Sequence, residues 1–125
     1  MNDVRTHNAP GPVGPYSPPM VSGKFLFCSG QVALDAKTGD MVGATAAAQA
    51  EQVLKNLEAV LIAGGASMDR VVKTLIFMTD LKAFAEVNAV YEKAFRGHKP
   101  ARSTVQVPAL PKGALVEIEC IAELG

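Results

Sequence analysis

Arginine and glutamate residues near the carboxyl end of the chain have the types and the spacing to support hydrolytic chemistry. Arg102 and Thr104 share one face of a predicted strand, and Glu117 and Glu119 alternate along the next one. If these strands form a hairpin that turns near 110–111, Thr104 lies roughly opposite Glu117 and Arg102 roughly opposite Glu119. An arginine fork can bind a substrate carboxylate, and a carboxylate beside it can activate a water. An exposed structural ion pair is the simpler interpretation, and the functional one requires burial of this face in an oligomer.

Three further positions carry groups that could line a site, and each also has an ordinary structural explanation. Asn88 falls in the apolar stripe of a predicted helix, four residues after Phe84 and three before Tyr91, and such an asparagine more often bonds to backbone. Tyr16, in a proline-rich segment, could project its phenol into a cleft or pack with its hydroxyl at the rim. Residues 29–31, Ser-Gly-Gln, end a strand where glycine allows close backbone approach.

The charge balance and the motif content exclude several classes of protein. Twelve Lys and Arg residues offset twelve Asp and Glu residues, so a dedicated DNA or RNA binder, which must neutralise phosphates, is not expected. Two cysteines, Cys28 and Cys120, and two histidines, His7 and His98, lack the spacing of a zinc or haem site. The chain shows neither a phosphate-binding glycine loop nor a nucleophile motif. Neither a metal nor a cofactor is therefore expected, and the cysteines are interpreted as structural thiols.

Length and hydropathy predict one domain over residues 1–125 in the cytoplasm. A chain of 125 residues has the usual size of a single domain. Its first ten residues include Asp3, Arg5 and Asn8 and do not resemble a signal peptide. The longest apolar run, 59–63, is far shorter than the ~20 residues that span a bilayer.

The elements that must position these residues follow from apolar periodicity, caps and turns. They are a strand over Lys24–Leu34, a helix capped by Thr45 that runs to about Ala63, a strand over Arg70–Met78, a helix capped by Asp80 that runs to about Arg96, and a terminal hairpin of Arg102–Val107 and Leu115–Leu124. This order predicts an α+β fold, a mixed β-sheet with two helices on one face. Strands 24–34 and 70–78 are apolar on both faces, whereas two helices cover only one. We therefore expect a homo-oligomer in which neighbouring sheets bury each other.

Five motifs, in order along nearly the whole chain, resemble the RidA (YjgF) family. They are Gly14-Pro-Tyr-Ser17, Phe27-Cys-Ser-Gly-Gln31, the helix from Asp80 through Asn88 to Tyr91, Pro100-Ala-Arg-Ser-Thr-Val105, and Leu110-Pro-Lys followed by Val116-Glu-Ile-Glu119. The resemblance implies a chorismate-mutase-like α+β fold and a homotrimer with clefts at the subunit interfaces. It also implies an enamine/imine deaminase that hydrolyses 2-iminopropanoate and 2-iminobutanoate to 2-oxo acids and ammonia. Such an enzyme protects pyridoxal-phosphate enzymes from reactive enamines.

The resemblance also assigns roles to individual residues. Arg102 matches the arginine that binds the substrate carboxylate, and Glu117 matches the glutamate that positions the attacking water. The residues expected to bind substrate are Tyr16, Ser29, Gly30, Asn88, Arg102 and Thr104. Thr104 stands where relatives often carry cysteine, which leaves backbone contacts possible and removes a thiol.

Two other functions compete with the deaminase. A binding module of the same fold would hold a carboxylate ligand without turnover, and the presence of Glu117 beside Arg102 weighs against it. A ribonuclease or translation inhibitor is disfavoured by zero net charge and the absence of tryptophan, since RNA is held by basic and stacking side chains.

Overall fold

A computed structural model describes residues 2–3 and 19–125 of the chain. Tyr16 and the first family motif lie outside the described residues. The described strands are β1 (Asn2–Asp3), β2 (Met20–Ser22), β3 (Phe25–Gln31), β4 (Val71–Met78), β5 (Ala101–Gln106) and β6 (Val116–Glu123), and the helices are α1 (Ala46–Ala63) and α2 (Phe84–Phe95). They form one sheet in the order β1-β2-β3-β6-β4-β5. Only the β4–β5 pair is parallel among these strands, so the predicted α+β fold with a mixed sheet is confirmed.

Helix α1 has the bounds that the sequence predicts. The Thr45 hydroxyl accepts a hydrogen bond from the Ala48 amide at 3.1 Å and caps the helix. Gly65 follows the end with φ +87°, a conformation that favours glycine. The buried face carries Val53 and Leu57, and it packs on β3 and β6.

Helix α2 begins slightly later than the sequence predicts. Asp80 does accept a capping bond, from the Lys82 amide at 2.9 Å, but it caps a single 3-10 turn over Leu81–Ala83. The α-helix starts at Phe84 and ends before Arg96, which has φ 53°. Its buried residues Val87, Tyr91 and Phe95 join the core between the helices and the sheet.

The predicted terminal hairpin is wrong. Strands β5 and β6 do not pair with each other, because β4 lies between them. Thr104 has Ile76 as its Cα partner and Glu117 has Phe77. Strands adjacent in sequence pair roughly two-thirds of the time, which is what the hairpin prediction assumed. Here β4, apolar on both faces, takes an interior place in the sheet, and α2 supplies the long crossover that parallel neighbours require.

In the described part of the chain, the helices lie on one face of the sheet only, as the two-sided apolar strands predict. On the other, helix-free face, Phe25, Phe27 and Val105 are 40%, 44% and 41% exposed. The same face carries the half-buried Leu75 and Phe77. Several exposed large apolar residues on one face are typical of a protein interface.

Candidate functional site

Arg102 lies on the helix side of the edge strand β5, where three residues of α2 surround its guanidinium. Its Nη1 donates to Asn88 Oδ1 at 2.6 Å. Its Cζ lies 5.5 Å from the ring centroid of Phe84 and 4.9 Å from that of Tyr91, within the range of cation–π attraction. Positions 84, 88 and 91 share one face of a helix, so about two turns of α2 form the cradle.

The cradle is anchored from behind. The Tyr91 hydroxyl and the buried Thr74 hydroxyl form a hydrogen bond of 2.8 Å, which ties the ring to β4. Burial raises the pKa of Tyr91 above its ordinary value, more than the Thr74 bond and the Arg102 charge lower it. Tyr91 is therefore a neutral, fixed surface under the guanidinium at physiological pH.

Glu117 lies on the helix-free face, against the backbone of β3. A Cβ added at Gly30 would overlap the Glu117 carboxylate, so this position has no room for a side chain. Burial, and after it the neighbouring Glu119 carboxylate, raises the pKa of Glu117 above its ordinary value. A carboxylate with a raised pKa is a stronger base and is suited to accept a proton from water.

Ser29 precedes Gly30 in sequence, on the segment where the β3–β6 register shifts between Cys28 and Gln31. Its carbonyl accepts a hydrogen bond from the Gln31 side chain at 3.4 Å. Such a shift is typical of a β-bulge, which changes the direction of the strand locally. The irregular segment therefore lies where the Gly30 backbone approaches the Glu117 carboxylate.

The sequence prediction that Arg102 and the two glutamates share a face is wrong. Arg102 is the Cα partner of Thr74, which points to the helices, whereas Glu117 is the partner of Phe77 on the helix-free face. The error follows from the hairpin, because an intervening strand changes which residues lie side by side. Within one chain the guanidinium and the carboxylate point to opposite sides of the sheet.

Thr104 is half-buried and lies two residues along β5 from Arg102, on the same face. Among the residues that the structure describes, Asn88 bonds to side chains, whereas its place in an apolar stripe favours a bond to backbone. It accepts from Arg102 and donates to Glu92 Oε1 at 3.2 Å. Sequence reasoning missed Phe84 and Tyr91 as site residues, although their spacing from Asn88 placed them on its face.

The family model described as Endoribonuclease L-PSP matches residues 6–124. The chain belongs to the RidA (YjgF) family. A RutC family protein of Sinorhizobium fredii is 48% identical over 121 residues, which cover 97% of this chain and 96% of that protein. The human 2-iminobutanoate/2-iminopropanoate deaminase is 39% identical over 122 residues, covering 98% and 89%. The crystal structure of E. coli TdcF with bound serine superposes with a TM-score of 0.94 and 38% identity, covering 100% of both chains.

The helices of this RidA protein do not include a membrane span: between residues 19 and 125, no helix has the length and apolarity to cross a membrane.

The two cysteines lie in the core. Cys28 and Cys120 are Cα partners on β3 and β6, and both are buried free thiols. They lie on the helix side of the sheet and do not contribute to the carboxylate group at Glu117.

Proposed function

We propose that this RidA protein is a deaminase that hydrolyses 2-iminopropanoate and 2-iminobutanoate to the 2-oxo acids and ammonia. The observation that carries the proposal is the pair of complementary groups on the two sides of the sheet. One is a guanidinium held in a cradle by Asn88, Phe84 and Tyr91. The other is the Glu117 carboxylate, whose pKa is raised by burial. A 2-imino acid needs a cation to bind its carboxylate and a base to activate the water that attacks the neighbouring carbon, and these two groups can supply them.

The chemistry divides between these two groups. The Arg102 fork binds the substrate carboxylate and fixes its plane, because two parallel N–H donors match two carboxylate oxygens. Glu117 accepts a proton from a water whose oxygen bonds to the imine carbon, and the imine nitrogen takes up a proton. The resulting carbinolamine expels ammonia as its hydroxyl becomes the carbonyl of the 2-oxo acid. A positioned general base contributes about 10²–10⁴-fold, which suits a reaction that is already fast in water.

A second copy of the chain is needed to bring the two groups together. We propose the homotrimer, with each cleft formed by the Arg102 side of one subunit and the Glu117 side of the next. Phe77, the Cα partner of Glu117, lies beside it on the helix-free face, and Phe25, Phe27 and Val105 lie further out on the same face. These apolar residues provide the surface that would be buried. In such an assembly the water that attacks the imine is held in a cleft of low dielectric, which strengthens both electrostatic interactions.

The proposed role is protective. Enamines released by pyridoxal-phosphate-dependent dehydratases tautomerise to 2-imino acids, and their rapid hydrolysis prevents damage to other pyridoxal-phosphate enzymes. Relatives with deaminase names support this role, as does TdcF with bound serine, a ligand that has the carboxylate expected to engage an arginine fork.

The experiment is imine hydrolysis in competition with semicarbazide. A pyridoxal-phosphate dehydratase releases 2-iminopropanoate from serine, and semicarbazone formation reports the imine that escapes hydrolysis. Wild type is expected to suppress the semicarbazone signal, and Arg102→Ala is expected to lose this effect. Lys55→Ala, which removes a positive charge from the exposed side of α1, is the matched control and should behave as wild type. A folded oligomer that leaves the semicarbazone signal unchanged would refute the deaminase.

The description of the matching family raises a second candidate, an endoribonuclease. The twelve basic residues are balanced by twelve acidic ones, so long-range attraction to a polyanion is weak. The test is cleavage of a labelled RNA by wild type, Arg102→Ala and Glu117→Gln. If both variants still cleave the RNA, the ribonuclease activity belongs to a different site.

A further inference from the structure

The Arg102 cradle contains one more link than the proposed reaction uses. Asn88 Oδ1 accepts from Arg102 Nη1, and Asn88 Nδ2 donates to Glu92 Oε1 at 3.2 Å, one helical turn further along α2. We propose that Glu92 is a positioning residue that orients Arg102 through Asn88. This inference rests on the proposed function, because it concerns how the carboxylate of the substrate is held.

The chemistry of the three groups fixes the direction of the chain of hydrogen bonds. A guanidinium has only donors, and an amide has an acceptor end and a donor end. Asn88 can therefore serve Arg102 only with Oδ1 toward the guanidinium, which turns Nδ2 toward position 92. Glu92 offers a charged acceptor there, at the i,i+4 spacing at which helix side chains meet. The carboxylate thus favours the one orientation of the amide that Arg102 requires.

This orientation decides which donors of Arg102 face the ligand. Nη1 is occupied by Asn88, and the guanidinium carbon lies over the rings of Phe84 and Tyr91. The edge formed by Nε and Nη2 is then directed to a carboxylate, which it can bind through two parallel bonds. Arg102 lies on an edge strand and is exposed, so without such support it would sample several rotamers. Ordering it in the free protein removes that entropy cost from substrate binding.

The test compares Glu92→Ala with Glu92→Gln and with Glu86→Ala. Glu92→Gln keeps a carbonyl acceptor for Asn88 Nδ2 and removes the charge. Glu86 is an exposed glutamate on the same helix, roughly on its opposite side from Asn88, so Glu86→Ala controls for loss of charge from α2. The measurements are kcat and KM for the imine, the Kd of the product 2-oxobutanoate, and the ¹⁵N–¹H NMR resonances of the Arg102 guanidinium.

We expect Glu92→Ala to raise KM and the product Kd by about 1.4- to 2.3-fold, as loss of one exposed i,i+4 interaction predicts, with kcat unchanged. The Arg102 Nη resonances should be separate in wild type, because the guanidinium rotates slowly, and should merge in Glu92→Ala. Glu92→Gln should stay close to wild type in KM, product Kd and the Arg102 resonances. Glu86→Ala should leave all three unchanged. In an Asn88→Ala background, Glu92→Ala should have no further effect, since its action passes through the amide.

Unchanged KM, Kd and Arg102 resonances in Glu92→Ala would overturn the inference, as would an equal effect of Glu92→Ala with and without Asn88. The result is separable from the fate of the deaminase itself. If wild type fails to hydrolyse the imine, the proposed function fails, while the Arg102 resonances still decide whether Glu92 holds the guanidinium.

Discussion

Two inactive variants of this protein should restore activity when their subunits are mixed. Arg102 and Glu117 lie on opposite faces of the sheet of one chain, so each proposed site takes its guanidinium from one subunit and its carboxylate from the next. Arg102→Ala damages one half of every site and Glu117→Gln damages the other half. Each variant alone should be inactive, because every site in its homo-oligomer has a defective half.

The size of the recovery follows from the arrangement. A site is intact when the subunit that supplies Arg102 is the Glu117→Gln variant and the subunit that supplies Glu117 is the Arg102→Ala variant. With equal amounts and random assembly, each condition holds for half of the sites, so about one quarter of all sites are intact in a closed ring. In a trimer, every mixed ring contains one intact site. The expected activity, relative to wild type at the same subunit concentration, is therefore about one quarter for the unfractionated mixture and about one third for isolated mixed trimers.

The assay requires subunits that have exchanged. The variants carry different affinity tags, are denatured and refolded together, and the mixed oligomers are isolated by both tags before the semicarbazide assay. Mixing Arg102→Ala with Arg102→Lys is the matched control, because both variants are defective in the same half and no site is repaired. Mixed oligomers that remain inactive, when their composition has been verified by mass spectrometry, would refute the division of the site between two chains.

Three further predictions concern single residues. Arg102→Lys keeps the charge but loses the fork, so kcat/KM should fall about 10–150-fold, the loss of one charged hydrogen bond of ~1.5–3 kcal/mol, with an unchanged Tm by differential scanning calorimetry. The Glu117 carboxylate must be deprotonated to act as a base, and its pKa is raised. As the pH is lowered, kcat/KM should therefore begin to fall at a pH higher than that at which an ordinary glutamate takes up its proton. Glu119→Gln removes the second cause of the raised Glu117 pKa, so the loss of activity at low pH should move to a lower pH. If it does not move, the titrating group is not Glu117. Asn56→Ala should destabilise the fold by about 2–4 kcal/mol in urea denaturation at fixed subunit concentration, because the buried Asn56 amide bonds two loop carbonyls at 2.9 and 3.2 Å; a loss below about 0.5 kcal/mol would show that water replaces it.

Local signals in the sequence were sufficient for the helices. The Thr45 cap, the apolar spacing of three and four, and the glycine pair at 64–65 act within one helix, so they predict α1 from end to end. They also place Asn88 on the correct face of α2. The helix signals depend on neighbours that are close in sequence, which one sequence displays directly.

The pairing of strands could not be read in the same way. Residues 102–107 and 115–124 each alternate like a strand, but alternation does not identify the neighbour across the sheet. The decisive interaction is the insertion of β4 between them, which depends on pairs 28 positions apart in the chain for β4 and β5 and 38 to 51 apart for β4 and β6. The same long-range placement brings Gly30 against Glu117. The family resemblance predicted Arg102 and Glu117 as site residues, whereas their distribution over two faces emerged only from the fold.

The double use of Tyr91 constrains how this protein can evolve new ligand preferences. Its ring packs in the core against Phe95, its hydroxyl bonds the buried Thr74, and its face supports Arg102. A substitution that reshapes the guanidinium side of the cleft therefore also costs folding stability, and selection must tolerate both effects at once. The β3 side of the cleft is constrained as well, because a side chain at Gly30 would overlap the Glu117 carboxylate. A change in the accepted ligand is accordingly expected to need compensating substitutions in the core or beside Glu117.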